Sequence, residues 1–211
     1  MRIVKPSVEF ITPLNKEEVY KKIELCGRVC YKSEDKITED SAERFIRNVI
    51  KRGHESVLEH ANITVKFITD RGISHEIVRH RLASYSQEST RYCNYSQERF
   101  DKEITVICPS ELNEDGALFD IWEDACMEAE QNYFDLLKFG VKPEIARSVL
   151  PTCLKTELVM TANIREWRHF IKLRAAKAAH SDIQVLAKML LKEFRKKVPV
   201  FVEDIELLEE K

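Results

Sequence analysis

The chain lacks most of what would mark an exported, membrane-spanning or low-complexity protein. No stretch approaches the ~20 consecutive apolar residues that cross a bilayer, and Met1 to Phe10 reads as a strand, not as a charged segment leading into an apolar one. The expected location is therefore cytoplasmic. The six cysteines (Cys26, Cys30, Cys93, Cys108, Cys126, Cys153) contain no Cys-x-x-Cys pair, so they read as reduced packing residues, with Cys26 and Cys30 one helical turn apart. Only five glycines occur, and there is no repeat, linker or biased segment, which argues for one domain over residues 1–211. Excess charge of one sign is missing too. A formal net charge of -2 leaves no bulk positive field for nucleic acid, so any anion site has to be assembled locally.

What is present suits a soluble globular α+β protein, with 44% hydrophobic and 33% charged residues. Residues 2 to 11 favour a strand, and Asn15 to Tyr31 a helix capped by Asn15. A second helix is expected from about Asp40 to Arg52, ended by Gly53. Ala61 to Thr69 alternates Ile63, Val65 and Phe67 with polar residues, the period of a half-buried strand, and Asp70-Arg71-Gly72 breaks it. Ile73 to about Arg81 reads as a short helix, Ser84 to Ser96 is aperiodic, and Ile104 to Cys108 is a short strand. Glu114 to Phe139 is a long helix ending at Gly140, Pro143 starts another, and Leu154 to Ala162 is a strand. Arg165 to about Val198 holds one broken or two consecutive helices, divided near His180-Ser181-Asp182.

Two places resist a purely structural reading. In RHRLASYSQESTRY, Arg79 to Tyr92, the second half carries four hydroxyl side chains beside Arg91 and only Tyr85 offers substantial apolar surface. Hydroxyls, clustered amides and a guanidinium suit a phosphate dianion, while a solvated loop is the plain alternative. On the preceding predicted helix Glu76 meets Arg79 and His80 at spacings of three and four. Arg79, His80 and Arg81, being consecutive, would fan by about 100° each and so suit a large or divided ligand better than one small anion. The second place is Arg174, which falls in the middle of an apolar stripe of Trp167, Phe170, Ile171 and Ala178. It needs either an internal ion pair or a bound anion or polarised ring. Four histidines (His54, His60, His75, His80) fall within 27 residues, but their spacing is not that of metal ligands and no metal is expected.

Taken together, Arg79-His80-Arg81, Ser89 and Arg91 resemble the signature of flavin-dependent thymidylate synthases. So, in the family's order, do GHESVLEH (Gly53 to His60), ARSVLP (Ala146 to Pro151) and NIREWRHFIKLR (Asn163 to Arg174). The resemblance covers most of the chain. It implies that family's fold, with mixed helices and a central, mainly antiparallel sheet. It implies a methyltransferase of nucleotide biosynthesis, converting dUMP to dTMP with 5,10-methylenetetrahydrofolate as carbon donor and NADPH as reductant through FAD. Carried over by matched position, His54, Ser56, Arg79, His80, Arg81, Asn163, Ile164, Arg165 and His169 would bind FAD. The nucleotide would meet Glu76, Ile77, Val78, Arg79, Gln87, Glu88, Ser89, Thr90, Arg91, Arg147 and Arg174, the last favouring ionisation at uracil N3.

Many relatives carry Asn and Glu where this chain has Ser86 and Gln87, with Glu88 next to them, and a glutamine where it has His180. No cysteine or serine has a base beside it in sequence, so Ser89 is assigned to binding and not to nucleophilic attack. His169 and Arg174 fall on roughly opposite sides of a helical wheel, which suits a site shared between subunits, as in the family's homotetramer. The rival reading is a nucleic-acid-binding module using Arg71, Arg79, Arg81, Arg91 and Arg99 as a phosphate track.

Overall fold

The computed structural model describes residues 1–113 and 116–206. The chain alternates helices with strands in two sheets, one of them antiparallel. It folds as two compact units.

The first unit comprises Met1–Ser7, Phe67–Arg79 and Ser86–Val159. Strand β1 (Arg2–Val4) pairs in parallel with β5 (Thr105–Ile107), Ile3 opposite Val106. A core is formed by Tyr95, Ile104, Val106 and Leu154 with Tyr133 of the long helix α4 (Ala117–Lys138) and Ala146 of the short α5 (Pro143–Ala146). Pro143 stands in the first turn of α5, where its missing N–H has no acceptor to serve. The expected start of the long helix at Glu114 lies outside the described residues.

The second unit comprises Val8–Lys66, His80–Tyr85 and the described chain from Met160 onward. Helix α1 (Lys16–Val29) starts at Asn15, whose Oδ1 accepts the Glu17 amide at 3.1 Å, and it packs on α2 (Ser41–Lys51). Gly53, at φ 71°, takes the left-handed turn that ends α2. Helices α6 (Ile164–Arg174) and α7 (Ser181–Lys197) pack together, with His180 Nδ1 capping α7 at the predicted break. Tyr20, Ile23, Ile46, Leu58, Trp167, Phe170, Leu186 and Phe194 are fully enclosed here.

The second sheet runs β2 (Ser7–Phe10), β3 (Asn62–Asp70), β6 (Lys155–Asn163), β4 (Ala83–Gln87), and β3 and β6 contribute residues to both units. Three expectations are corrected. Residues 2 to 11 form two strands in different sheets, because Pro6 between them cannot donate to a ladder. The strand ends at Asp70 as expected, but the helix read over Ile73 to about Arg81 is shifted: α3 spans Arg71–Ile77, starting where Asp70 Oδ1 accepts the Ile73 amide at 2.8 Å. The aperiodic stretch contains a strand: in β4, Ala83, Tyr85 and Gln87 are half-buried and Ser84 and Ser86 exposed. Small hydroxyl residues carry too little hydropathy contrast for that alternation to be visible in the sequence.

Candidate active site

Because α3 stops at Ile77, Arg79, His80 and Arg81 follow the helix instead of lying on it. The helical fan expected of them, and the side-chain pairing of Glu76 with Arg79 and His80 through helical spacing, therefore do not arise. The turn separates the three instead: His80 is 4% exposed, whereas Arg79 and Arg81 lie in solvent.

In the second unit His80 organises a polar cluster on α6. Arg174 donates from Nε to His80 Nε2 at 3.1 Å, so that nitrogen is bare and the ring proton lies on Nδ1, 2.9 Å from Glu166 Oε1. Burial holds the imidazole below its ordinary pKa of 6.5; Glu166 opposes this, and Arg174 and His169 add to it. His80 is thus a neutral ring, and its contact with Glu166 is a hydrogen bond rather than an ion pair. Tyr85 fixes the backbone by donating its hydroxyl to the His80 carbonyl at 2.5 Å.

The rings of His169 and Phe170 lie 5.4 and 4.8 Å from that of His80. His169 and Arg174, on roughly opposite sides of α6, therefore both adjoin one residue of the same chain, so their spacing does not by itself require a second subunit. The His80 ring lies against α6 and meets side chains from both of its flanks. His80, Glu166 and His169 have ligand atoms within 4.8 Å of one another. With one ring nitrogen of His80 held by a guanidinium and the other by the Glu166 hydrogen bond, this arrangement opposes a cation.

Arg174 is half-buried at the last position of α6 and the helix does not continue to Ala178, so the apolar stripe ends here. The deeply buried arginine is Arg168, 1% exposed. It bonds Glu55 Oε1 at 3.0 Å, Asp204 at 2.7 and 2.8 Å, and the Phe201 carbonyl. The other cofactor candidates divide by role. His54, Ser56 and Arg165 line a cleft of about 1060 Å³. Asn163 Oδ1 caps α6 by accepting the Glu166 amide at 2.9 Å, and Ile164 is enclosed with its amide on the Ala61 carbonyl.

In the first unit the hydroxyl-rich segment meets α5. Arg147 donates from Nη1 to Thr90 Oγ1 at 3.1 Å and from Nε to the Glu144 carbonyl at 3.2 Å, while Arg91 Nε reaches Glu144 Oε2 at 3.0 Å. Ser89 Oγ accepts the Arg91 amide at 3.3 Å. Two guanidiniums and two hydroxyls are thus gathered around one short turn, as phosphate capture requires. Gln87 donates to Ser74 Oγ at 2.9 Å and Thr156 Oγ1 at 3.2 Å, and Glu88 takes Tyr95 Oη at 3.0 Å and Lys155 Nζ at 3.1 Å. Ile77 is enclosed, and Val78 is 37% exposed. The arginines of a phosphate track have local engagements: Arg71 on the Glu88 carbonyl, Arg91 on Glu144 and Arg99 over the Phe100 ring.

Sequence reading missed Glu166 and Arg168. Asn163-x-x-Glu166 has the spacing of a reciprocal helix cap, but only the asparagine caps and the carboxylate turns to His80. Arg168 gave no signal because its partners are 113 and 36 residues away in sequence.

Comparison with known proteins adds independent findings. The family model described as thymidylate synthase complementing protein matches residues 14–200. A flavin-dependent thymidylate synthase of Pyrococcus abyssi is 35% identical over 164 residues, 77% of this chain and 66% of that protein, just under two thirds of its length. One from Pyrococcus furiosus is 34% identical over 172 residues, 81% of this chain and 70% of that protein. One from Mycobacterium tuberculosis is 35% identical over 204 residues, 88% of this chain and 79% of that protein. Among the described residues no helix is long and apolar enough to cross a membrane.

Proposed function

The chain belongs to the thymidylate synthase complementing protein family, a family of enzymes by the names its relatives carry, and from that premise we propose that it is a flavin-dependent thymidylate synthase. It methylates dUMP to dTMP, taking the carbon from 5,10-methylenetetrahydrofolate and electrons from NADPH through FAD. Both units serve this one activity in a cytoplasmic homotetramer with active sites at subunit interfaces. The observation that carries the reading is the contact of Arg174 with a neutral, buried His80.

Methylation at C5 requires an electron-rich uracil, and a guanidinium beside N3 and its carbonyls stabilises the developing negative charge. Arg174 supplies that cation. His80 Nε2 orients it without adding a competing charge, and Glu166 orients His80. Thr90, Arg91, Arg147 and Ser89 hold the nucleotide phosphate, with Glu76, Ile77, Val78, Arg79, Gln87 and Glu88 completing the nucleotide surroundings. Arg79, His80, Arg81, Asn163, Ile164 and His169 serve the flavin together with His54, Ser56 and Arg165.

The cleft of about 1060 Å³ is large enough for a dinucleotide, and its Arg165 and Ser56 offer donors suited to phosphate. Bound there, the flavin supplies the reducing hydride, so no cysteine nucleophile is required of the chain.

The test is a visible spectrum of the purified protein, followed by anaerobic addition of NADPH with and without dUMP. Bleaching of a bound yellow flavin that depends on dUMP, with dTMP formed once the folate is added, is the expected result. A colourless protein that cannot be reconstituted with FAD would overturn the reading.

A further inference from the structure

The cleft containing His54 and Ser56 carries charge that no protein partner answers. Arg28 lines it but is held by Glu24 at 2.7 Å, Arg165 is held by Glu59 at 2.7 Å, and Glu55, a carboxylate of the lining, is held by Arg168 at 3.0 Å. Lys36, Arg44 and Arg52 also line the cleft, are exposed, and have no carboxylate partner among the described residues.

Arg44 and Arg52 stand on one face of α2 and its C-terminal cap, two steps of four residues apart with Asn48 between them. That separation is about 12 Å along the helix. Arg52 is favoured at a helix C-terminus by the backbone dipole, but Arg44 lies one turn from the N-terminus, where a cation is disfavoured unless something answers it. A single phosphate or the adjacent charges of one diphosphate cannot reach along about 12 Å of helix. A linear chain of regularly spaced carboxylates can.

We propose that Lys36, Arg44 and Arg52 form a track for the γ-linked oligoglutamate tail of the folate co-substrate. The inference rests on the reaction assigned above, which brings a folate to this chain, and adds a preference for polyglutamylated over monoglutamylated donor. Because the track is exposed, its contribution falls with ionic strength.

The experiment compares mono- and pentaglutamyl methylenetetrahydrofolate on the FAD-loaded protein and on a Lys36→Ala/Arg44→Ala/Arg52→Ala variant, by equilibrium binding and by dTMP formation. The expected result is a preference of roughly tenfold for the pentaglutamate in the wild type, weakened by salt and lost in the variant. Because the three residues line the cleft assigned to the flavin, both proteins are compared at equal flavin occupancy, and the KM for dUMP and the KM for NADPH stay unchanged. Equal affinity for the two folates in the wild type, or a preference that survives in the variant, overturns the track. So does a rise confined to the KM for NADPH, which would assign the cations to a nucleotide phosphate. Tail-dependent folate binding without dTMP formation would keep the track and sink the assigned reaction.

Discussion

Arg174 and His80, 94 residues apart, share a hydrogen bond of 3.1 Å in which the guanidinium donates to a bare imidazole nitrogen. The bond needs His80 neutral, and burial with the adjacent Arg174 charge keeps it so. Arg174→Ala should therefore raise the His80 pKa, visible in an NMR titration of the imidazole. It should also lower dTMP formation by about 10²–10³, the usual cost of losing a donor aimed at developing charge, with the flavin still bound. A His80 pKa unchanged by the substitution would mean that the pair does not operate in solution.

The same depressed pKa makes a stability prediction. The folded state disfavours protonated His80 relative to the unfolded chain, whose value is 6.5. Stability from neutral His80 is complete above that pH and is lost as the pH falls through the lower folded value. Thermal melts from pH 8 downwards should fall more steeply for the wild type than for His80→Gln, which cannot titrate. Parallel curves would remove His80 as the cause.

Arg91 reaches the Glu144 carboxylate at 3.0 Å while Arg147 bonds the carbonyl of the same residue. A phosphate arriving at Arg91 has to displace or tolerate that negative charge. Glu144→Gln should tighten dUMP binding by about threefold, a modest gain because the pair is exposed. Isothermal titration decides it, and weaker binding would show that Glu144 positions Arg91 instead of competing for it.

Much of the fold was legible in the sequence where physics is local. Asn15, Gly53, Pro143 and His180 mark their helix ends because a cap, a left-handed residue or a missing N–H acts within a few residues. The hydroxyl-rich segment was legible as polar chemistry but not as the strand β4, since serines look alike on either face. Arg174 stood out for a stripe that in fact ends at that residue. The importance of His80 was carried by the motif, yet its partner Glu166 was disguised as half of a helix cap, and only tertiary structure turns that carboxylate to the ring.

Arg168 tests a part of the fold away from the proposed chemistry. It is enclosed, and Glu55 and Asp204 together answer its charge. Arg168→Met should destabilise by about 3 kcal/mol, because two carboxylates lose their partner, although both keep some access to water. Urea unfolding measures the loss. The pull of Arg168 holds Asp204 below the usual carboxylate range, so its contribution persists above the ordinary value of 3.8 and fades as the pH falls through the lower folded one. A variant as stable as the wild type at neutral pH would show that the network does not hold the C-terminal segment.

The surroundings of Gln87 say why an amide fits at this position. Its Nε2 donates to Ser74 Oγ and Thr156 Oγ1, and Ser74 has already committed its proton to the Arg71 carbonyl at 2.8 Å. Position 87 therefore faces a lone pair of Ser74 and must donate. Thr156 is fully enclosed, so solvent does not replace a bond lost there, but its hydroxyl can turn to donate to a carboxylate, which leaves Ser74 as the source of the conflict. Gln87→Glu should cost about 1–2 kcal/mol at neutral pH, where the carboxylate can only accept, and should recover part of that loss on acidification as the acid regains a proton to donate. Ser74→Ala in the same background removes the conflicting lone pair, so the double variant should lose less than the sum of the two single changes. Additive losses would place the origin of the Gln87 preference elsewhere than in Ser74.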